Sequence, residues 1–190
     1  MASQLAPGFL VAAPSLLDPN FKRTVVLLVD HKPQEGSIGF VVNRPAQVQM
    51  RSMLERLGLA ADDAPHSNSS VLVGGPVNPQ TGWVVFEQGA ATAQSQEIVR
   101  ISDRLAVSAS RELLQTLVTH QGPERMLLVL GYSGWGPGQL DAEIVQGAWI
   151  PVDFDERIVF DTPFDDRWAS ALRLLGIDPA RLSVTPPSMS

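Results

Sequence analysis

The chain has 190 residues, 44% of them hydrophobic and 18% charged, which excludes a disordered, coiled-coil or collagen-like protein. It has no cysteine, so a disulfide framework, a zinc–thiolate site and a thiol nucleophile are excluded as well. The formal net charge is −6, and a chain this acidic is a poor non-specific binder of duplex DNA, which is held mainly through phosphate neutralisation by Lys and Arg.

In chain order, Phe9–Ala13 reads as a short strand. Thr24–Val29 and Ile38–Val42 follow, joined by a polar loop too short for a parallel crossover, so they form a hairpin. Met50, Met53, Leu54 and Leu57 at helical spacing predict the first helix, ended by Gly58. Ala60–Ser70 is a polar surface loop. Strands are expected at Val71–Val73, Trp83–Phe86, Ile98–Ile101 and Leu105–Val107. The second helix runs from about Ser108 to His120, with Ser108 or Ser110 as its cap and Leu113, Leu114, Leu117 and Val118 facing inward.

Met126–Leu130 is a further strand, and a third helix follows Pro137 with Leu140 and Ile144 inward. Trp149–Val152 and Ile158–Phe160 complete about ten strands. The fourth helix carries the fullest start signal: Thr162 as cap, Pro163 in the first turn and Asp165 in a capping-box pattern. Phe164, Trp168, Leu172 and Leu175 line its inner face. Val25–Val29 and Met126–Leu130 are apolar without alternation, and such strands need both faces covered. Strands outnumber helices and do not alternate with them, which argues for α+β over a doubly wound sheet. No linker splits the chain, so residues 1–182 read as one domain and 183–190, rich in Ser and Pro, as a mobile tail.

Charge is uneven. Residues 1–60 hold six bases against four acids; residues 61–190 hold eight against sixteen. Lys22, Arg23, Lys32, Arg44, Arg51 and Arg56 could form a basic patch or simply be solvated surface charges. No run approaches 18 apolar residues, so no membrane span is expected. Met1–Gln4 lacks a basic leader region, which makes the cytoplasm the default address.

The most suggestive segment is Gly131-Tyr132-Ser133-Gly134-Trp135-Gly136-Pro137-Gly138-Gln139, between a strand and a helix. A nucleophile elbow would need Gly where Trp135 stands. A dinucleotide loop would need one more residue between the last two glycines, and Pro137 removes an amide there, although Asp153 lies at a suitable distance. The third possibility is structural: the glycines permit a tight path, Tyr132 and Trp135 bury flat surface, and Gln139 and Glu143 cap or pair locally. Gly74 and Gly75 make a second cluster with no Walker continuation, so Gly74, Gly75, Gly134, Gly136 and Gly138 are read as turn formers.

His31, beside Asp30 and Glu35, could act as a base or as an ordinary hydrogen-bonded loop histidine. Neither His66 nor His120 has a ligand spacing, and the acids Asp153, Asp155, Glu156, Asp161, Asp165 and Asp166 lack the order of a calcium loop. No metal and no cofactor is expected. Asn43 ends a strand before Pro45 and could satisfy that turn.

Together the segments PGFLVAAPSLLDPNFKRTVVLLVDH, GSIGFVVNRP, LVGGPV and GYSGWGPGQLDAEIVQGAW resemble the AlgH/YqgE family of small bacterial proteins. The match spans residues 7 to about 160; Ser37 and Ser133 stand where that family more often has Ala. The resemblance implies an α+β fold of mainly antiparallel, branched sheets curled into a pseudo-barrel with about four helices packed outside. It also implies a label of transcriptional regulator, drawn from alginate control in one lineage, with no catalytic set to transfer.

The favoured function is a non-enzymatic regulatory or binding role, toward a protein partner or a small ligand. His31, Asn43, Tyr132, Trp135 and Gln139 are the candidates to line its cleft. The alternative is an enzyme acting on a nucleotide or phosphate ligand, with His31 as acid/base and the glycine loops cradling phosphate. A direct DNA binder is disfavoured, because Ser108–His120 carries Arg111 offset by Glu112 and no basic recognition face.

Overall fold

The structure, a computed structural model, describes residues 4–56, 58–59, 66, 68–88, 99–117 and 122–182. Ten strands occur in the order β1 (Gly8–Ala12), β2 (Val25–Lys32), β3 (Gly36–Val41), β4 (Pro45–Gln49), β5 (Ser70–Val73), β6 (Val77–Glu87), β7 (Val99–Arg100), β8 (Leu105–Ser108), β9 (Met126–Trp135) and β10 (Trp149–Asp153). They form one sheet along the path β10-β1-β2-β3-β9-β6-β8-β7, with β5 paired to β9 and β4 to β5 off that path. Every pairing among the described residues is antiparallel except β5 with β9. The sheet curls into a half-barrel, and six helices pack around it: α1 (Met50–Arg56), α2 (Arg111–Thr116), α3 (Gln139–Val145), α4 (Glu156–Phe160), α5 (Arg167–Arg173) and α6 (Pro179–Leu182).

The branch point is β9. Its residues 126–130 lie between β6 and β5, while Ser133–Trp135 pair with β3. Between the two halves sits Gly131, with φ +69°, a backbone conformation that residues with a Cβ rarely adopt. A Cβ there would also stand 2.7 Å from the Gly75 carbonyl oxygen and 2.8 Å from that of Val77.

The unbroken apolar strands have their two faces covered differently. On one face, Phe9, Val11, Val25, Leu27, Leu72, Val85 and Val129 join Val159, Trp168 and Leu172 of α4 and α5 in a shared core. On the other, alternate residues enter separate clusters. Leu10, Ala12, Val26 and Leu28 pack with Trp149 and Leu140 of α3, whereas Val71, Val84, Phe86 and Leu128 pack with α1 and α2 through Met50, Leu54, Leu113 and Leu114. This is the coverage that continuous hydrophobicity demands.

Several expectations are corrected. Ile158–Phe160 is the end of α4, not a strand: Asp155 caps that helix by accepting from the Arg157 N–H (3.0 Å), and a three-residue apolar run carries no periodicity to separate the two states. Residues 131–135 remain in β9, so Gly134 is a strand residue opposite Ile38 and the turn is confined to Gly136–Gly138. Six helices stand where four were expected, α4 and the short α6 being the additions, and β4 was not foreseen.

The fourth predicted helix begins as a 3₁₀ turn at Phe164–Asp166. Thr162 does not cap it; its hydroxyl donates back to the Arg157 carbonyl in the first turn of α4 (2.8 Å). Trp168 and Leu172 are buried as expected, but Leu175 is 46% exposed. Leu57, Val118, His120, Ile98, most of the loop 60–70 and the tail 183–190 lie outside the described residues.

Candidate functional site

Three of the five candidate cleft residues are tied to α3. His31 lies near the tip of the β2–β3 hairpin, its Nδ1 2.8 Å from Ser37 Oγ and its Nε2 3.6 Å from Asp141 Oδ1 of α3. The imidazole is 10% exposed and the carboxylate 46%. Gln139 opens α3; its Oε1 accepts from the Gly136 N–H (3.0 Å) and its Nε2 donates to Glu143 Oε1 (2.9 Å). Trp135, at the end of β9, donates its indole N–H to Glu143 Oε2 (2.9 Å), and Trp149 of β10 donates to the same oxygen (2.8 Å). The two indoles meet edge to face, with Phe21 against both, so one carboxylate secures an aromatic cluster on the outer face of the sheet.

Tyr132 and Asn43 lie elsewhere. Neighbours in a strand point to opposite faces, and Tyr132 packs edge to face on Trp83, which contacts Phe40 in the shared core. Asn43 bridges backbone: its Oδ1 accepts from the Val25 N–H (2.8 Å) and its Nδ2 donates to the Arg23 carbonyl (2.9 Å). The glycines Gly74 and Gly75 press against β9. The Gly74 N–H donates to the Leu130 carbonyl (2.8 Å), and its own carbonyl accepts from Val41 N–H (2.8 Å) and Ser133 Oγ (3.0 Å). A Cβ on Gly75 would lie 2.3 Å from Tyr132 backbone atoms. Gln139 and Glu143 pair locally across one turn of α3.

A Ser–His–Asp line is the arrangement in which a base activates a hydroxyl and a carboxylate orients the base. Acyl chemistry also needs N–H donors aimed at a developing oxyanion. The adjoining turn amides are already committed: that of Gly136 to Gln139, that of Gly138 to the Pro33 carbonyl (2.8 Å). Among the described residues no group of three His, Cys, Asp or Glu side chains could hold a metal ion.

At least three of the six bases of the first sixty residues are engaged within the fold. Arg44 donates to the carbonyls of Pro19, Asn20 and Lys22, Arg23 lies 4.6 Å over the Trp168 ring, and Lys32 pairs with Glu35 (3.0 Å). Sequence reasoning passed over Asp141 and Arg167. Asp141 is one exposed acid among twenty. Arg167 reads as a helix-surface cation, yet it is 3% exposed because its partners are main-chain carbonyls, one of them 125 residues away.

The chain is similar to known proteins over nearly its whole length. A family model described as AlgH-like matches residues 9–180. A UPF0301 protein of Anaeromyxobacter dehalogenans is 47% identical over 180 residues, covering 93% of this chain and 90% of the relative. One of Photobacterium profundum is 39% identical, covering 95% and 96%. Among solved structures, the solution structure of the AlgH protein from Pseudomonas aeruginosa superposes with a TM-score of 0.80 at 34% identity, covering 100% of this chain and 98% of that one. A Corynebacterium diphtheriae protein superposes at 0.72 with 26% identity, covering 97% and 95%. With a model matching most of its residues and relatives well above a third identical, the chain belongs to the AlgH-like family.

Proposed function

We propose that this AlgH-like protein is a regulatory binding protein of the cytoplasm, and that its glycine-rich segment is scaffold rather than reactive machinery. One observation carries the reading. The amides of Gly74, Gly136 and Gly138, which a phosphate would need, are already donated within the chain. Trp135 and Gln139 are likewise held by Glu143. The regulator label of the family is in keeping with such a role. The test replaces Trp135 and Gln139 separately, Trp135→Phe and Gln139→Ala, and measures thermal stability alongside partner pull-down. Scaffold residues lower the melting temperature while the folded fraction keeps its partners; loss of partners at unchanged stability overturns the reading. A nucleotide panel at millimolar concentration leaves the melting curve unmoved, since a specific ligand would stabilise by mass action.

A second reading, an enzyme with His31 as acid/base, is favoured by the Ser37–His31–Asp141 line alone. A serine-directed fluorophosphonate decides between them. No labelling is expected; labelling of Ser37 that vanishes in His31→Ala establishes the enzyme instead.

A further inference from the structure

Arg167 is a buried charge held by main-chain carbonyls and a ring face rather than by a carboxylate of the described residues. Its Nε donates to the Thr162 carbonyl (2.8 Å), Nη1 donates to the Val42 carbonyl, and the guanidinium lies 4.5 Å over the Phe164 ring. No carboxylate of the described residues lies within ion-pair distance of it. A guanidinium taken out of water without a counter-charge is costly, since carbonyl dipoles and a ring face offset only part of the lost hydration. Burial accordingly pushes its pKa down to about 10, with no opposing charge to raise it.

The guanidinium also has a donor to spare. Among the described residues the buried side-chain N–H groups left without an acceptor are those of Trp83 Nε1 and Gln88 Nε2. Arg167 Nη2 is not one of these fully buried groups, and the acceptors of the guanidinium lie against Nε and Nη1. The space that Arg167 lines is an open surface depression of about 480 Å³. Its walls include Pro45, Phe160, Pro163 and Phe164, and its rim carries Asp161 and Asp165. Asp161 is paired with Arg125; Asp165 is exposed.

We propose that this depression is a binding site for a small organic monocarboxylate with an apolar or aromatic body. The carboxylate takes the Nη2 edge of Arg167 and supplies the missing counter-charge, and the body lies against the Phe160 and Phe164 rings. Asp165 beside the site disfavours multiply charged anions, which sets it apart from a phosphate site, while Asp161 is offset by Arg125. This ligand class rests on the binding reading above only in making occupancy part of the protein's role. The two fail separately, because titration reads the depression and partner pull-down reads the role.

The experiment titrates the full chain with 3-phenylpropionate, followed by two-dimensional NMR and calorimetry. The controls are the neutral isostere 3-phenylpropionamide and inorganic phosphate. Saturable shifts centred on residues 160–167 are expected. The amide should bind at least about tenfold more weakly, for loss of a charge-assisted contact, and phosphate should give no saturable response. Asp165→Asn, a surface change that leaves the fold intact, should tighten phenylpropionate binding a few-fold, and Arg167→Lys should abolish it. Equal binding of acid and amide, stronger binding of phosphate, an Asp165→Asn variant that binds more weakly, or no saturable response at millimolar acid would each overturn the proposal.

Discussion

Glu143 shows how one side chain can hold more structure than its exposure suggests. Its two oxygens accept from two indoles and an amide, contributed by β9, β10 and α3 itself. Glu143→Ala leaves the indole N–H groups without acceptors and should cost about 2–4 kcal/mol in denaturant unfolding, with a red shift of tryptophan emission. Glu143→Gln keeps one acceptor oxygen and should cost about half as much. The local pairing with Gln139 was legible from the i, i+4 spacing, but the two indole donors were not, because they arrive from strands. Asp155 gives a pH signature. The Arg157 guanidinium and backbone N–H hold its carboxyl below the ordinary value of 3.8. The stability it contributes is therefore complete above about pH 4 and disappears as pH falls through the lower folded-state value. Asp155→Asn should unfold with less acid sensitivity than wild type below about pH 4, at a neutral-pH cost of about 1 kcal/mol, since the Arg157 partner is exposed.

At the scale of elements, β9 carries the argument. Its apolar half was readable as a strand needing both faces covered, and it has neighbours on both sides and packing on both faces. Its glycine half read as a loop because Gly, Ser and Trp in close succession mark turns more often than strands. The strand persists because β3 supplies the ladder opposite residues 133–135, a tertiary cause invisible in local pattern. Two substitutions separate conformational strain from crowding. Gly138→Ala meets φ +71° with nothing within 4 Å and should cost about 1–2 kcal/mol. Gly131→Ala meets φ +69° and two carbonyl oxygens under 3 Å away, and should cost at least twice that in thermal melts, by forcing the strands beside β9 apart.

Over the whole molecule the charge balance is acidic, and Arg23, Lys32 and Arg44 each have partners within the fold. Gel-shift assays on duplex DNA across a salt series should show no retention even at low salt. Retention with a steep salt slope would show direct DNA binding instead. No helix among the described residues is long and apolar enough to cross a membrane. The α+β class was legible from the excess of strands, whereas the sheet order was not, since β1 finds its second neighbour in β10, with Gly8 opposite Asp153 and Ala12 opposite Trp149. Trp168 adds a hydrogen bond from its indole to the Ala12 carbonyl (2.9 Å). Strand β1 is thus completed only by a segment far along the chain. Until β10 docks, one edge of that apolar strand stays open to pairing with other chains, so refolding at high protein concentration should lose yield to aggregation.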